Sequence, residues 1–202
     1  MSNIIEHTDY SQAKARMTPT LKGQRLLLRP LKITDAPAIQ RQFPHWNIVK
    51  HLSTRIPWPY PADGAFQFLS NVVLPKMENG QMLGWAICLI NHPNALIGVM
   101  TYDLSETKGL RRGFWLAEQY HGHGYMTDAA ALMQDHLFDV LKLPVFYVMN
   151  ATDNHASRRI KEKLGGRHMG TIPFEHLSGG AESEMWAIHR DKWLSIRARL
   201  KY

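Results

Sequence analysis

The alternation of apolar and polar residues predicts that the first part of the chain is a strand followed by a helix. The segment QRLLLRPLK, which starts at Gln24, has the apolar centre of a β-strand. Thr34 and Asp35 then provide a helix N-cap signal, and Pro37 is tolerated in a first helical turn. We therefore expect a helix over about residues 35–42.

Further along, the pattern predicts a second helix and an antiparallel pair of strands. The helix is expected to start near Pro61 and to place three apolar residues on one face: Phe66, Leu69 and Val73. Asn79 and Gly80 mark a turn. Two strands follow, over about residues 81–90 and 96–104, joined by the turn NHPN.

The second half of the chain alternates between strands and helices. A strand ending in FWLA leads into a helix with one apolar stripe, formed by Met126, Ala130, Met133 and Leu137. The strand VFYVMN comes next. A helix follows, capped by Asp153 or Asn154 and closed by Gly165 or Gly166, with Ala156, Ile160 and Leu164 recurring every four residues.

The C-terminal part is predicted to hold two strands, at about 167–176 and 184–190, and a terminal helix. The strand–helix–strand unit from about Leu116 to Asn150 calls for a parallel neighbour, whereas the earlier strands suit antiparallel pairing. The fold class expected from this order is α+β, with a mixed, mostly antiparallel central sheet flanked by helices.

The length of 202 residues favours one domain with a sizeable core. Residues 1–20 are interpreted as a loosely held N-terminal extension and residues 21–202 as a single domain. The longest apolar run, Met82 to Ile90, is too short to span a bilayer. The N-terminus lacks the layout of a secretory signal, and Cys88 is the single cysteine. These features predict a cytoplasmic protein with no membrane association.

The formal net charge of +7 is compatible with a nucleic-acid partner or with a solvated basic surface that suits an anionic small molecule. The sequence contains no run of five or more like charges. We therefore favour the second interpretation and expect no nucleic-acid partner.

The segment EQYHGHGYMT follows a predicted strand and opens a helix. A helix start has unpaired backbone N–H groups and a partial positive charge, so it binds anions such as phosphates. Glycine allows a ligand to approach the backbone because it has no Cβ. Gly122 and Gly124 therefore indicate a pyrophosphate cradle, and the alternative is a plain turn that happens to contain two glycines.

Other ligand-binding motifs fit this segment less well. No GK[ST] follows, which excludes a P-loop. Thr127 stands in the place of a third glycine, which argues against a dinucleotide fingerprint. His121 and His123 form only an H-x-H pair without further spaced ligands, so no metal site is predicted.

At this point the sequence resembles a known family. Gln119 to Gly124 fits the Q/R-x-x-G-x-G/A signature of the GNAT acetyltransferases. Asn154 and Ser157, followed by EKLGG, resemble the N-x-x-S…EKLGF pattern of the branch that acetylates N-termini of ribosomal proteins (the RimJ and RimL type). The resemblance covers about residues 20–195. Two departures are Asp128, at a capping or surface position where a glutamate is common, and Gly166 in place of a phenylalanine.

The resemblance implies a sheet with a splayed parallel strand pair and acetyl-CoA as the co-substrate, without a metal. The pantetheine arm would pair with the backbone of about Leu116 and Ala117 and with Asn154. The pyrophosphate would lie on the cradle. The resemblance assigns coenzyme contacts to the cradle segment and to the start of the next helix: Gln119, His121, Gly122, His123, Gly124, Tyr125, Met126, Thr127, Asn154 and Ser157.

Acetyl transfer requires a neutral amine and a proton for the departing thiolate. The resemblance assigns the second task to Ser157, and the alternative is a structural role in the first turn of its helix. The general base stays open at this stage, with Asp103, Glu106, His51 and water as candidates.

The aromatic, proline-rich segment WNIVKHLSTRIPWPYP is either a loop folded onto the core or the wall of the acceptor site. On the second interpretation, Trp46, His51, Trp58 and Tyr60 contact the acceptor, a primary amine of a peptide N-terminus or a small molecule. A non-catalytic coenzyme A-binding regulatory module is the alternative function. The sequence is compatible with a monomer or a homodimer.

Overall fold

The computed structural model describes residues 17–105, 112–200 and 202, and it contains two antiparallel sheets. The first sheet has the strand order β1-β2-β3-β4-β5, with β1 at Leu21–Lys22, β2 at Leu26–Pro30, β3 at Met82–Leu89, β4 at His92–Asp103 and β5 at Arg112–Leu116. The second sheet has the order β6-β8-β7, with β6 at Val145–Ala151, β7 at Gly166–Pro173 and β8 at Glu182–His189.

Helices cover both sheets. The first half of the chain contains α1 (Ala36–Gln42), α2 (Trp46–Val49), α3 (Gly64–Phe68) and α4 (Leu74–Glu78), and a π-helical turn at Leu69–Val73 joins α3 to α4. The second half contains α5 (Tyr125–Asp135), which continues into a π-helical turn at His136–Val140, then α6 (His155–Lys163) and α7 (Arg190–Arg197). Short 3₁₀ turns lie at Ile33–Asp35 and Glu118–Tyr120.

The predicted α+β class with a mostly antiparallel arrangement is confirmed. Helix α5 connects β5 to β6, and these two strands are edges of different sheets. Within the described ranges no ladder joins β5 to β6, and every ladder is antiparallel. The resemblance implied that a parallel pair of strands would splay apart, and β5 and β6 have no hydrogen-bonded parallel ladder. The gap between the two sheets is therefore available for a ligand.

The apolar stripe predicted for α5 lies inside the main core. Met126, Ala130, Met133 and Leu137 are all buried. They pack in one cluster with residues of both sheets, including Trp85 from β3 and Phe146 from β6. A second cluster lies on the opposite face of the first sheet, beneath α1 and the α3–α4 helix. The helix connecting the two sheets therefore also forms much of their shared core.

The apolar stripe predicted for α6 is only partly buried in the core. Leu164 is buried as expected, but Ala156 is exposed and Ile160 is only partly buried. The buried residues inside the helix are Ser157 and Lys161 instead. The reason is that Ala156 and Ile160 line a cavity, so the apolar face of α6 is turned to that cavity rather than to solid core.

Three other predicted features differ in detail. Leu69 and Val73 are buried as expected, but Phe66 is 50% exposed. The proline-rich segment predicted as a loop begins with the single turn of α2. Residues 1–16 lie outside the described residues, but the end of the predicted loose extension is bound to β3. Thr18 Oγ1 accepts a hydrogen bond from the Gly84 amide, and the Trp85 ring N–H donates to the Pro19 carbonyl.

Candidate active site

A cavity of about 740 Å³ opens where the two sheets separate. Four parts of the chain line it: the end of β5 at residues 114–116, the segment 118–127 that opens α5, the cavity-facing side of α6, and residues 47–52 that follow the start of α2. The volume lies within the range of small-molecule sites, about 300–1,000 Å³. The glycine segment singled out by the sequence forms one of its walls.

The two glycines adopt the backbone conformation that glycine favours. Gly122 has φ 79° and Gly124 has φ 80°, and a Cβ at Gly122 would meet no atom within 4 Å. Helix α5 starts at Tyr125 with Gly124 as its N-cap, and no side chain caps it. The amides of Tyr125, Met126 and Thr127 therefore have no intrahelical acceptor, and they form an anion-binding helix start that opens on the cavity.

Arg25 from the segment before β2 holds this cradle in place. Its Nη1 donates to the His123 carbonyl at 2.9 Å, and its Nε donates to Asp128 Oδ2 at 2.8 Å. Its guanidinium also lies 4.9 Å from the centre of the Tyr125 ring. Burial raises the pKa of Asp128, although Arg25 opposes that shift. The sequence analysis placed Asp128 at a capping or surface position. That was wrong, because its side chain is buried against Arg25.

The backbone of Leu116 and Ala117, predicted to pair with pantetheine, is partly engaged within the protein. The Leu116 carbonyl accepts a hydrogen bond from His121 Nε2 at 2.8 Å, which places the proton on that nitrogen. The Ala117 amide donates to the Ile97 carbonyl at 2.9 Å. Leu116 lines the cavity but Ala117 does not. A ligand that pairs with this strand end therefore has to compete with His121 for the Leu116 carbonyl.

The remaining residues predicted for the cradle differ in exposure and in their contacts. Gln119 and His123 are exposed and do not line the cavity. The His123 ring packs on the Tyr125 ring, with 5.7 Å between centres. Tyr120 lines the cavity next to His121, and its ring lies 6.4 Å from that of Tyr125. The cradle is therefore surrounded by aromatic rings.

The start of α6 faces the cradle across the cavity. Of the two predicted cap candidates, Asn154 is the N-cap, and its Oδ1 accepts a hydrogen bond from the Ser157 amide at 3.0 Å. Both residues line the cavity, and Ser157 is 6% exposed. The Ser157 hydroxyl is 2.7 Å from Lys161 Nζ. The structure therefore brings together the cradle, Asn154 and Ser157, which are distant in sequence.

Another wall of the cavity is formed by residues 47–52. Backbone hydrogen bonds hold this wall to the hairpin between β7 and β8: the Leu177 amide donates to the Leu52 carbonyl, and the Ser178 amide donates to the Lys50 carbonyl. His51 lines the cavity, and its Nδ1 lies 3.1 Å from Asp153 Oδ1 in an orientation poorly aligned for a hydrogen bond.

Burial lowers the pKa of His51 below the usual 6.5, and the nearby Asp153 carboxylate only partly opposes this. The imidazole is therefore mainly neutral at pH 7. A neutral imidazole in a cavity wall is able to accept a proton.

The other predicted acceptor residues lie beside the cavity rather than in its wall. The Trp46 and Trp58 rings are 5.6 Å apart, and these residues are 46% and 40% exposed. Tyr60 packs against Phe43 with 5.2 Å between ring centres, and burial raises its pKa to about 12. The two exposed tryptophans stay available to a larger ligand, whereas Tyr60 has a packing role.

The structure does not bring Asp103 to the cavity. Asp103 lies at the end of β4 opposite Met82, whereas the part of β4 that pairs with Leu116 is Gly98. Although burial raises its pKa, hydrogen bonds from Lys76 and Ser105 lower it below the ordinary value overall. Its carboxylate accepts from Lys76 Nζ at 2.7 Å. Glu106, the other carboxylate candidate, lies outside the described residues.

Sequence analysis missed four charged residues that line the cavity: Lys50, Glu118, Arg159 and Lys163. Arg159 and Lys163 are exposed and four residues apart on α6. A spacing of four places two side chains on one helical face, so this pair was recognisable once α6 was known to border the site. The two cations give this wall a positive charge, which suits an anionic ligand.

The described part of the chain has neither a metal-binding cluster nor a membrane-spanning helix. Residues 17–105, 112–200 and 202 contain no group of three or more His, Cys, Asp or Glu side chains placed to hold a metal ion. In the same residues, no helix has the length and apolar character needed to cross a membrane.

Comparison with known proteins identifies one family. The model of the acetyltransferase (GNAT) domain matches residues 25–167. This range contains the cradle, the end of β5 and the whole of α6, so it covers most of the residues that line the cavity.

Solved structures share the fold at low sequence identity. Mycobacterium smegmatis RimJ in complex with CoA-disulfide has a TM-score of 0.76 and 20% identity, with 91% of this chain and 96% of that chain covered. The ribosomal-protein-S5-alanine acetyltransferase from Vibrio fischeri gives 0.70 and 17%, with 87% and 98% covered. RimL, a ribosomal L7/L12 α-N-protein acetyltransferase in complex with coenzyme A, gives 0.71 and 17%, with 86% and 99% covered.

Proposed function

The chain belongs to the acetyltransferase (GNAT) family and is an acyltransferase that uses acetyl-CoA, and from this premise we propose that it acetylates the α-amine of a protein N-terminus. The observation that carries the proposal is the cavity itself. It places an anion-binding helix start, a buried serine and a neutral histidine around one space.

The cavity suits coenzyme A chemically. Gly122 leaves room at the cradle, and the amides of Tyr125 to Thr127 are directed at an anion without needing a cationic side chain. Asn154 uses its Oδ1 as the helix cap, so its Nδ2 is left to donate to an amide carbonyl of the pantetheine arm. Arg159 and Lys163 add positive charge along the same wall for the phosphates.

In the proposed reaction the acceptor amine attacks the thioester carbonyl directly in a ternary complex. Ser157 lines the cavity and donates its hydroxyl proton to the sulfur as the carbon–sulfur bond breaks. Much of the rate acceleration comes from holding amine and thioester in one orientation between two fixed walls.

His51 is the proposed general base. It belongs to the wall formed by residues 47–52, and its lowered pKa keeps the imidazole neutral at pH 7. It is therefore able to take the proton that the attacking amine must lose. Glu118 also lines the cavity, but its side chain is exposed to solvent, whereas His51 is held in the wall.

Two features support a protein N-terminus as the acceptor. The exposed pair Trp46 and Trp58 lies next to the wall formed by residues 47–52 and offers apolar surface to a peptide. RimL and the Vibrio fischeri enzyme, which share the fold, are described as acetyltransferases of ribosomal proteins. A small-molecule amine is the second candidate, because a structure with the same fold is the microcin C7 self-immunity acetyltransferase MccE.

The first test is calorimetric titration with acetyl-CoA, with coenzyme A in parallel. We expect micromolar affinity, which corresponds to about −8 kcal/mol. Gly122→Trp should abolish binding, because its side chain would fill the cradle. Gly170→Trp is the matched control, since Gly170 also has positive φ and open space at its Cβ but lies in β7, outside the cavity lining. Equal affinity in the wild type, Gly122→Trp and Gly170→Trp would show that the cradle does not bind acetyl-CoA.

The second test is release of the coenzyme thiol in the presence of acceptor peptides. A peptide with a free α-amine should support release, and the same peptide with its α-amine blocked should not, even when it contains lysine. Release with both peptides would shift the acceptor to side-chain amines. Binding of acetyl-CoA without release to any peptide or small amine would favour a non-catalytic coenzyme A-binding module.

A further inference from the structure

Lys161 is a charged residue that is completely buried. It lies on α6 with 1% of its surface exposed, and it is among the largest fully buried side chains of the protein. Lysine is almost never fully buried unless it is paired with an opposite charge. No salt bridge of the described residues includes Lys161.

The partners of Lys161 are two oxygen atoms of one residue. Its Nζ donates to the Ser157 hydroxyl oxygen at 2.7 Å and contacts the Ser157 carbonyl at 3.3 Å. Residues four apart on a helix lie on the same face, and a long side chain points back toward the helix N-terminus. Lys161 therefore reaches back to Ser157 and ends directly behind the hydroxyl that lines the cavity.

The charged side chain that acts on Lys161 has the same sign. Arg112 on β5 is also buried, and neither its Nη1 nor its Nη2 has a hydrogen-bond partner in the described structure. Burial lowers the pKa of Lys161 well below its ordinary value, and repulsion from Arg112 adds to this. The ammonium is therefore a stronger acid here than a lysine in water.

Packing alone does not explain a lysine at this position. Burying an ammonium without a carboxylate partner is unfavourable, whereas a methionine of similar length would fill the same space without that cost. The effect of the lysine on Ser157 is specific. When Nζ donates to the Ser157 oxygen, it occupies an acceptor site, and the hydroxyl hydrogen is left to point into the cavity.

Resting on the proposed role of Ser157 in acetyl transfer, we propose that Lys161 is a positioning residue that aims the Ser157 hydroxyl proton at the coenzyme sulfur and then replaces that proton. As the carbon–sulfur bond breaks, the Ser157 O–H bond breaks and an S–H bond forms. One Nζ–H bond of the Lys161 ammonium then breaks as the Ser157 O–H bond forms again. The neutral amine of Lys161 regains a proton from water before the next turnover.

The test is a double-mutant cycle on the steady-state kinetics of the full chain, with acetyl-CoA and the peptide that supports thiol release. Ser157→Ala and Lys161→Met should each lower kcat by about tenfold or more. The KM for acetyl-CoA should change by less than about twofold, because the cradle amides and Asn154, which would hold the coenzyme, are unchanged. The double variant should be no slower than Ser157→Ala alone, because Lys161 acts only through Ser157.

The controls separate this role from a structural one. Lys22→Met removes an exposed lysine from β1 and should leave kcat unchanged. Thermal unfolding should show Lys161→Met to be at least as stable as the wild type, since a buried charge is removed. If Lys161→Met does not fold, Lys161→Leu replaces it in the double-mutant cycle.

The outcomes distinguish the two proposals. Wild-type kcat in Lys161→Met, or effects of the two substitutions that multiply, would overturn the role of Lys161 while leaving Ser157 in place. Wild-type kcat in Ser157→Ala would remove Ser157 from the proposed mechanism and the role of Lys161 with it. Absence of acetyl transfer by the wild-type protein would overturn the proposed function itself.

Discussion

At the scale of single residues, surroundings decide the chemistry of His51. The same side chain on an open surface would titrate near 6.5 and carry a partial charge at neutral pH. Here it is half-buried beside the cavity, and the loss of solvation outweighs the attraction of Asp153. Its pKa is therefore lowered, and the neutral form that a base requires predominates at pH 7.

The pH dependence of kcat follows from this shift. A base must be unprotonated, so the rate falls as pH drops through the pKa of His51, and we expect this acid limb below pH 6.5. His51→Gln should lower kcat about 100-fold and remove the limb. His92→Gln, at an exposed histidine that begins β4, should change neither.

Asp153→Asn tests the same prediction, because the direction in which it should shift the pKa of His51 is known. The Asp153 carboxylate raises the pKa of His51, so its removal should lower that pKa further and move the acid limb to lower pH. Asp153 is exposed, so a shift of only a few tenths of a pH unit is expected. An acid limb that stays in His51→Gln would assign the base to another group, with Glu118 the first to examine.

At the scale of elements, the cradle depends on a contact between distant segments. The loop from Gly122 to Gly124 is fixed to the start of β2 by Arg25, which binds both the His123 carbonyl and the Asp128 carboxylate. Asp128 belongs to the first turn of α5, where its negative charge favours the helix but opposes a bound phosphate. Arg25 neutralises that charge, so it supports the anion site from outside the cavity lining.

Arg25→Met should therefore weaken acetyl-CoA binding without removing a lining residue. We expect a loss of about five- to tenfold, or roughly 1 kcal/mol, because an unneutralised carboxylate then lies beside the phosphates. Calorimetric titration measures it, with Lys22→Met as the control that removes one exposed positive charge from the neighbouring strand β1. Equal affinity losses in the two variants would point to overall charge rather than to the cradle.

At the scale of the whole molecule, the site exists because two sheets separate. One wall comes from β5 in the first sheet, and another comes from α6, which packs with α5 and β7. The same α5 connects the sheets and fills the core between them. A ligand in the cavity therefore contacts parts of both halves of the molecule at once.

Acetyl-CoA should consequently stabilise the whole protein against unfolding. At a ligand concentration 100 times Kd, binding adds about 2.7 kcal/mol, which corresponds to a Tm increase of roughly 5–10 °C for a chain of this size. Thermal unfolding with and without acetyl-CoA measures the shift, and Gly122→Trp should show none. A shift of the same size in Gly122→Trp would mean that the stabilising ligand occupies another site.

Local patterns in the sequence were sufficient for most of the elements. The apolar stripe of α5, the cap at Asn154 and the glycines before Tyr125 each depend on residues close in the chain, so they were visible without a structure. The apolar stripe of α6 was visible too, but its orientation was not. Periodicity shows which residues share a face, but not whether that face meets core or cavity.

Short runs of residues were enough to predict the α+β class, the cradle and the family resemblance, because each is encoded locally. The tertiary structure controls which distant side chains meet. It separated Asp103 from the cavity, placed His51 in its wall, and put Lys161 behind Ser157. The physical reason is that pKa and reactivity depend on burial and on charges brought close by the fold, and neither is recorded in the local order of residues.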